Sequence, residues 1–140
     1  MENVDYISTF IEVSPDFARD AATEPRERAG APTIASATYQ LIASAPYAYR
    51  SSDVIFTVWA DRQGIAADSR SEAWAEFYGR SHACLRSSDL GKRYGWGIHA
   101  DADGRLAVYP VGSAAYASLA ASVAPDGSSV MVTRAMRSSR

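Results

Sequence analysis

The side chains best suited to chemistry lie close together in one segment of the chain, residues 84–111. This segment contains the only lysine and the only cysteine of the sequence. Cationic and aromatic side chains are interspersed with glycines there, a combination that is typical of sites for anionic or planar ligands. The predicted ligand-binding residues are Arg86, Lys92, Arg93, Tyr94, His99 and Tyr109.

Two side chains of this segment also suggest catalysis. His99 is followed two residues later by Asp101 and is suited to act as a general acid or base. Cys84 is a candidate nucleophile, because a base such as His82 or nearby cations can favour its thiolate form. For each we favour a structural interpretation: a histidine hydrogen-bonded within a sheet, and a thiol buried in the core. The sequence therefore does not establish whether the protein is an enzyme.

The nucleotide-binding motifs of this segment are incomplete. A P-loop needs a glycine four residues before Gly91-Lys92 and a serine or threonine after them, but Arg86 and Arg93 occupy these positions. The glycines at 95–97 resemble a dinucleotide fingerprint, which must follow a strand and open a helix. Here a strand is predicted to follow, so neither motif supports nucleotide binding.

Potential metal ligands occur as two pairs, His82 with Cys84 and His99 with Asp101. Four such ligands can form a tetrahedral zinc site, but the ligand spacing of the usual zinc motifs is absent. A calcium loop starting at His99 fails because Pro110 occupies the position of the bidentate glutamate. We therefore predict no metal site, and the sequence indicates no particular cofactor.

The composition predicts one globular domain, spanning 1–140. The chain has 47% hydrophobic and 21% charged residues, and a domain of this size buries about 68–70% of the surface of its unfolded chain. No apolar run approaches the roughly 20 residues of a membrane-spanning helix, and Glu2 and Asp5 are unlike the start of a signal peptide. A single cysteine is typical of a reducing compartment, so we expect a cytoplasmic protein without a membrane partner.

The charges are distributed unevenly along the chain. Residues 1–83 contain seven arginines and twelve acidic residues, whereas residues 84–140 contain seven basic and four acidic residues. Residues 136–140 are predicted to form a basic tail. An alternative function is therefore a nucleic-acid or protein interaction module that uses the basic C-terminal region. The basic excess is too small for a dedicated nucleic-acid binder, so no nucleic-acid partner is expected, and the sequence leaves a homodimer open.

The first half of the chain predicts one strand and three helices. β-Branched and aromatic residues at 6–13 indicate a strand. Residues 15–32 are polar and rich in proline, which indicates a surface loop that is either a lid or a mobile excursion. Thr33 is the predicted cap of the first helix, and Ser51 and Ser52 cap the second. Apolar spacing places the three helices at about 33–44, 53–63 and 69–78.

A hairpin follows, with strands at about 95–101 and 105–111. Its turn is Asp101-Ala102-Asp103-Gly104. A two-residue loop would place the apolar residues of the two strands on opposite faces. A three-residue loop with a left-handed Gly104 gathers them on one face, and the apolar pattern favours this register. The other face then carries His99, Asp101, Arg105 and Tyr109.

A short helix at 114–121 and a strand at 128–135 complete the chain. The predicted order is β-α-α-α-β-β-α-β. It describes an α+β domain in which helices pack on one mixed, mostly antiparallel sheet of about four strands.

Several segments resemble a family of small, mostly bacterial proteins of about this length whose function is unknown. The resemblance spans nearly the whole chain, and its most specific part is Lys-Arg-Tyr-Gly-Trp-Gly-Ile-His at 92–99. It implies no activity, cofactor or catalytic residue. The other matching segments are 6–16, Tyr39, 45–47, 53–54, 84–86 and 134–138.

Our main hypothesis from the sequence is a small binding domain for an anionic or aromatic ligand. The turn at 86–97 and the polar face of the hairpin would form its pocket. The three cations of this segment would provide charge, Tyr94 a stacking surface, and His99 and Tyr109 orienting hydrogen bonds.

Overall fold

A computed structural model describes residues 2–137 and confirms the α+β class and the predicted order of elements. Residues 138–140 of the predicted basic tail lie outside the described residues. The strands are β1 (Thr9–Glu12), β2 (Trp96–Ala100), β3 (Leu106–Pro110) and β4 (Met131–Arg134). The helices are α1 (Ile34–Ser44), α2 (Ser51–Gln63), α3 (Arg70–Phe77) and α4 (Ala114–Ala120).

The four strands form one mixed sheet in the order β3-β2-β1-β4. β1 is antiparallel to β2, with Phe10 opposite His99, and β2 is antiparallel to β3. β4 is parallel to β1, with Val132 opposite Phe10. The last strand therefore lies at one edge of the sheet, and the hairpin strand β3 lies at the other.

The hairpin has the predicted three-residue register. The backbone N–H of Asp101 donates to the carbonyl of Arg105 over 2.9 Å, and Gly104 has a φ of +83°. Only a residue that tolerates the left-handed region closes such a turn without strain. The Asp101 carboxylate accepts hydrogen bonds from the backbone N–H groups of Asp103 and Arg105, which fixes the turn.

The ends of α1 and α2 are fixed by local hydrogen bonds. Thr33 caps α1 as predicted, since its hydroxyl accepts from the backbone N–H of Ser36. The predicted caps of α2 were wrong, because the helix begins at Ser51 with Arg50 as its cap. Ser52, inside the first turn, instead donates its backbone N–H and its hydroxyl to Asp5. A carboxylate at this helix end also complements the helix dipole.

The sheet lies between two helical layers. Alternate residues of the strands point to opposite faces. One face packs on α1 and α2 through a core that includes Ile98 and Leu106 of the sheet and Ile42 and Val54 of the helices. The other face packs on α4, where the Phe10 ring meets the Tyr116 ring edge-on at 5.0 Å.

An aromatic cluster joins α2 to α3. Phe56 and Trp59 of α2 lie 5.6 Å and 4.8 Å from the Phe77 ring of α3, between ring centroids. Trp74 adds a further contact to Phe56 at 5.2 Å. The large side chains at this contact fix the position of α3 along α2. Helices α1 and α3 both flank α2 and leave a space between them.

The segment 15–32 lies against the turn that precedes β2. Phe17 packs beside Gly95, and the Thr23 backbone N–H donates to the Tyr94 carbonyl over 2.9 Å. The Trp96 indole N–H donates to the Thr23 carbonyl over 2.8 Å. The segment therefore covers the turn that the sequence predicted as part of a ligand pocket.

Candidate functional site

A cavity of about 640 Å³ opens between α1, α2, α3 and the segment 82–89. Ligand sites in proteins commonly measure about 300–1,000 Å³ and are lined mainly by apolar side chains. The apolar part of this lining includes Ile34, Ile55, Val58, Trp59, Phe77 and Leu85.

Charged side chains are also part of the cavity lining. Arg62 uses one guanidinium N–H to donate to the carbonyl of Pro32 over 3.2 Å. Asp89 forms an ion pair with Arg93 over 3.6 Å. Arg80 has no ion pair or side-chain hydrogen bond within residues 2–137. Its guanidinium is therefore available to an anionic group of a ligand.

His82 is held rigidly in the cavity wall. Its ring stacks on the Phe77 ring, with centroids 3.6 Å apart and an interplanar angle of 11°. Its Nε2 lies 2.6 Å from the Phe77 carbonyl oxygen. Because a carbonyl only accepts, Nε2 carries the proton, and in the neutral ring Nδ1 is then an acceptor. Nε2 therefore cannot accept a proton from Cys84 while this contact is made, and Nδ1 is the ring nitrogen that can act as a base.

Cys84 is half-buried and lines the same cavity. The Tyr6 hydroxyl donates to its sulfur over 3.0 Å. Burial and this contact raise the pKa of Tyr6 to about 12, so the hydroxyl keeps its proton at neutral pH. The thiol is thus neither fully enclosed in the core nor paired with a histidine.

The structure does not bring the six predicted site residues together at the cavity. Arg86 lies at the free edge of β4, where its Nε donates to the Arg134 carbonyl over 2.7 Å and its own carbonyl accepts from Met136. Lys92, Arg93 and Tyr94 belong to a short π-helix, Leu90–Tyr94. The sequence analysis did not predict this π-helix.

His99 and Tyr109 do come together, through a residue that the sequence analysis did not assign. Tyr47 places its hydroxyl 2.9 Å from Nδ1 of His99 and 2.7 Å from the Tyr109 hydroxyl. Its φ of +59° is in the left-handed region, which is unfavourable for a tyrosine. We call the side chains of Tyr47, His99 and Tyr109 the tyrosine–histidine cluster. The only sequence signal for Tyr47 was its position directly after Ala45-Pro46.

Burial dominates the electrostatics of the tyrosine–histidine cluster. His99 is only 3% exposed, and its burial lowers the pKa of the imidazole although Asp101 and Asp126 act in the opposite direction. Burial and the contact with Tyr109 raise the pKa of Tyr47. Burial therefore favours the neutral imidazole of His99 around pH 7, and the Tyr47 hydroxyl keeps its proton. Tyr47 and Tyr109 are half-exposed, and Tyr109 also lines a second cavity of about 290 Å³ between α1, Pro46 and β3.

Within the described part of the chain, no group of three or more His, Cys, Asp or Glu side chains is arranged to hold a metal ion. None of the helices described between residues 2 and 137 has the length and apolar character needed to cross a membrane.

Comparison with known proteins identifies the family of the chain. The model of a family of unknown function, DUF6157, matches residues 1–140. The chain belongs to this family. No curated protein and no solved structure matched the chain. Membership of DUF6157 assigns no activity, so any function must be argued from the geometry of the site.

Apart from His82 and Cys84, the sequence analysis assigned no role in a site to the residues that line the cavity. Trp59 lies on an apolar helical stripe, and such a stripe indicates burial without showing what covers it. The one sequence signal for a site was the position of two arginines. Arg62 lies in the last turn of α2, and Arg80 lies just after α3. This signal was too general to distinguish them from solvated surface charges.

Proposed function

We propose that this member of DUF6157 is a small-molecule-binding domain and that its ligand occupies the cavity between α1, α2 and α3. The observation that carries the proposal is the cavity itself, about 640 Å³ in volume, with an apolar lining interrupted by a few polar groups. Binding sites for small organic molecules have this composition, because apolar burial supplies affinity and polar groups supply orientation.

The cavity is a better candidate than the predicted surface at 86–109. Arg86 and Arg93 are engaged with Arg134 and Asp89, and His99 is enclosed with Tyr47. Side chains that already have internal partners lose those contacts when they turn to a ligand. Arg80 has no such internal contact to lose among the described residues, and the Cys84 thiol is partly exposed to the cavity.

The test uses the fluorescent probe 1-anilinonaphthalene-8-sulfonate, which is anionic and aromatic. We expect one saturable site in the wild-type protein. Ala83 is exposed and lines the cavity, so Ala83→Trp should obstruct the site and weaken probe binding at least about tenfold. Ala117→Trp, on the exposed side of α4 behind the sheet, is the matched control and should bind as the wild type does.

Near-ultraviolet circular dichroism verifies that both variants are folded. Equal probe binding by the wild type and a folded Ala83→Trp variant would contradict the proposal. Absence of any saturable site in the wild type would contradict it as well.

An enzymatic alternative is favoured by one observation, the position of Cys84 in the cavity wall. In this alternative the thiol acts as a nucleophile towards the bound molecule. The thiol is free of any disulfide, which supports a reducing compartment such as the cytoplasm. A catalytic thiolate should react with iodoacetamide in the folded protein well below pH 8. A thiol that reacts only at higher pH would remove this alternative and leave the binding proposal intact.

A further inference from the structure

We infer that the ligand of the cavity is an aromatic carboxylate, with its ring held between α2 and the segment after α3 and its acid group at Arg80. This inference rests on the proposed function and narrows it, because it requires the aromatic and anionic parts in one molecule. It follows from two separate features of the lining, one aromatic and one charged.

The aromatic feature is a wall of flat side chains. Trp59 and Phe77 lie 4.8 Å apart between ring centroids, and the His82 ring stacks on the Phe77 ring at 3.6 Å. Offset and edge-on contacts between rings add affinity beyond the burial of their area. A planar aromatic ligand can extend this stack, whereas an aliphatic chain gains only the burial of its surface.

The opening of the cavity supports the same ligand. Ile34, in the first turn of α1, lines the cavity and leaves 61% of its surface exposed. An apolar side chain of this size at the mouth of an apolar cavity is covered when a ligand enters. The ligand therefore extends to the opening, where its polar end meets the charged side chains.

The charged feature is an excess of one positive charge. Four charged side chains line the cavity, and the ion pair with Arg93 compensates Asp89. Arg62, Arg80 and Glu76 remain, which leaves a net charge of one cation. A single cationic excess suits a monoanion such as a carboxylate better than a phosphate group, which carries close to two negative charges. A guanidinium also matches the two oxygens of a carboxylate in a bidentate contact.

The test compares three small molecules by titration calorimetry: 2-naphthoate, its neutral analogue 2-naphthalenemethanol, and the aliphatic acid decanoate. We expect 2-naphthoate to bind most tightly, at least about tenfold better than the alcohol, since a hydrogen bond to a charged group contributes about 1.5–3 kcal/mol. Arg80→Gln should remove this preference. Arg105→Gln, an exposed arginine of the hairpin turn, is the matched control and should preserve it.

The outcomes separate this inference from the proposed function. If 2-naphthalenemethanol binds as tightly as 2-naphthoate and displaces the fluorescent probe, the acid group is irrelevant while the cavity remains the site. If decanoate binds more tightly than 2-naphthoate, the aromatic part of the inference is overturned. If none of the three displaces the probe from its saturable site, the inference is overturned and the proposed function stands. If the probe finds no saturable site in the wild type, both are contradicted.

Discussion

The helical layers on the two sides of the sheet differ in how completely they are packed. On the α4 face, the Phe10 and Tyr116 rings pack directly on Gly97, and the tyrosine–histidine cluster joins its polar groups to one another. On the opposite side of the sheet, the layer formed by α1, α2, α3 and the segment 82–89 leaves a cavity of about 640 Å³. Polar groups on the first face are satisfied internally, whereas several on the second remain available.

This difference is the reason that we propose the cavity, and not the predicted surface at 86–109, as the binding site. His99 and Tyr109 have the chemistry of ligand-binding residues, but His99 is buried and both side chains are joined to the Tyr47 hydroxyl. Arg80 and Cys84 lie where packing is incomplete. A ligand site needs space as well as chemistry, and at the cavity the arrangement of the helices supplies that space.

We expect the largest effect on stability at the most closely packed point of the α4 face, Gly97. In Gly97→Ala, the new Cβ would lie 2.8 Å from ring atoms of both Phe10 and Tyr116. Because both rings are held in the core, we expect the free energy of unfolding to fall by about 3 kcal/mol. Urea unfolding followed by circular dichroism measures this change.

The control for this prediction is the same substitution near the cavity. In Gly79→Ala, the Cβ would lie 3.2 Å from the Glu76 carbonyl oxygen, and the backbone is not left-handed. Alanine lowers the conformational entropy of the unfolded chain, and this gain in stability offsets the unfavourable contact. The free energy of unfolding should therefore change by less than about 1 kcal/mol. Equal losses in both variants would show that the two faces are packed alike.

A smaller effect is expected from Tyr47→Phe. The substitution removes the hydroxyl that lies between Nδ1 of His99 and the hydroxyl of Tyr109, and leaves buried polar atoms without a partner. We expect a loss of about 1–3 kcal/mol in urea unfolding. Tyr49→Phe is the control, because Tyr49 is exposed, and it should change stability by less than about 0.5 kcal/mol. No loss in Tyr47→Phe would mean that the cluster does not stabilise this face.

The sequence predicted those parts of the fold that local patterns determine. The cap at Thr33 and the turn ending at Gly104 depend on residues a few positions apart, and the structure confirms both. The order of the elements follows from such signals. The hairpin register could also be predicted, because only one pairing collects the apolar residues on a single face.

The parts that could not be predicted depend on contacts between distant residues. Tyr47 and His99 are 52 residues apart, and Arg86 reaches the Arg134 carbonyl across 48 residues. Within the π-helix, Gly91 packs against Ala135 across 44 positions, and a Cβ at Gly91 would lie 2.7 Å from that of Ala135. The cavity likewise results from how α1 and α3 flank α2. No spacing pattern within the sequence encodes these relations.

The smallest expected effect is a pH dependence of stability that arises from His99, on the α4 face of the sheet. Burial lowers the pKa of His99 below its usual value of about 6.5. Between the lowered pKa and pH 6.5, the unfolded chain binds more protons than the folded protein, so the free energy of unfolding rises with pH. The stabilising contribution is complete above about pH 6.5 and is lost as the pH falls towards the folded-state pKa.

His99→Gln isolates this contribution, because glutamine retains hydrogen-bonding groups but does not titrate. Urea unfolding at half-unit steps from pH 5 to pH 8 should show a steeper decline in stability below pH 6.5 for the wild type than for the variant. The comparison uses slopes, so a constant loss of stability in the variant does not affect it. The neighbouring carboxylates Asp101 and Asp126 are present in both proteins, and their titration cancels to first order. Parallel slopes would show that the pKa of His99 is the same in the folded and unfolded states, and would contradict the conclusion that burial dominates its electrostatics.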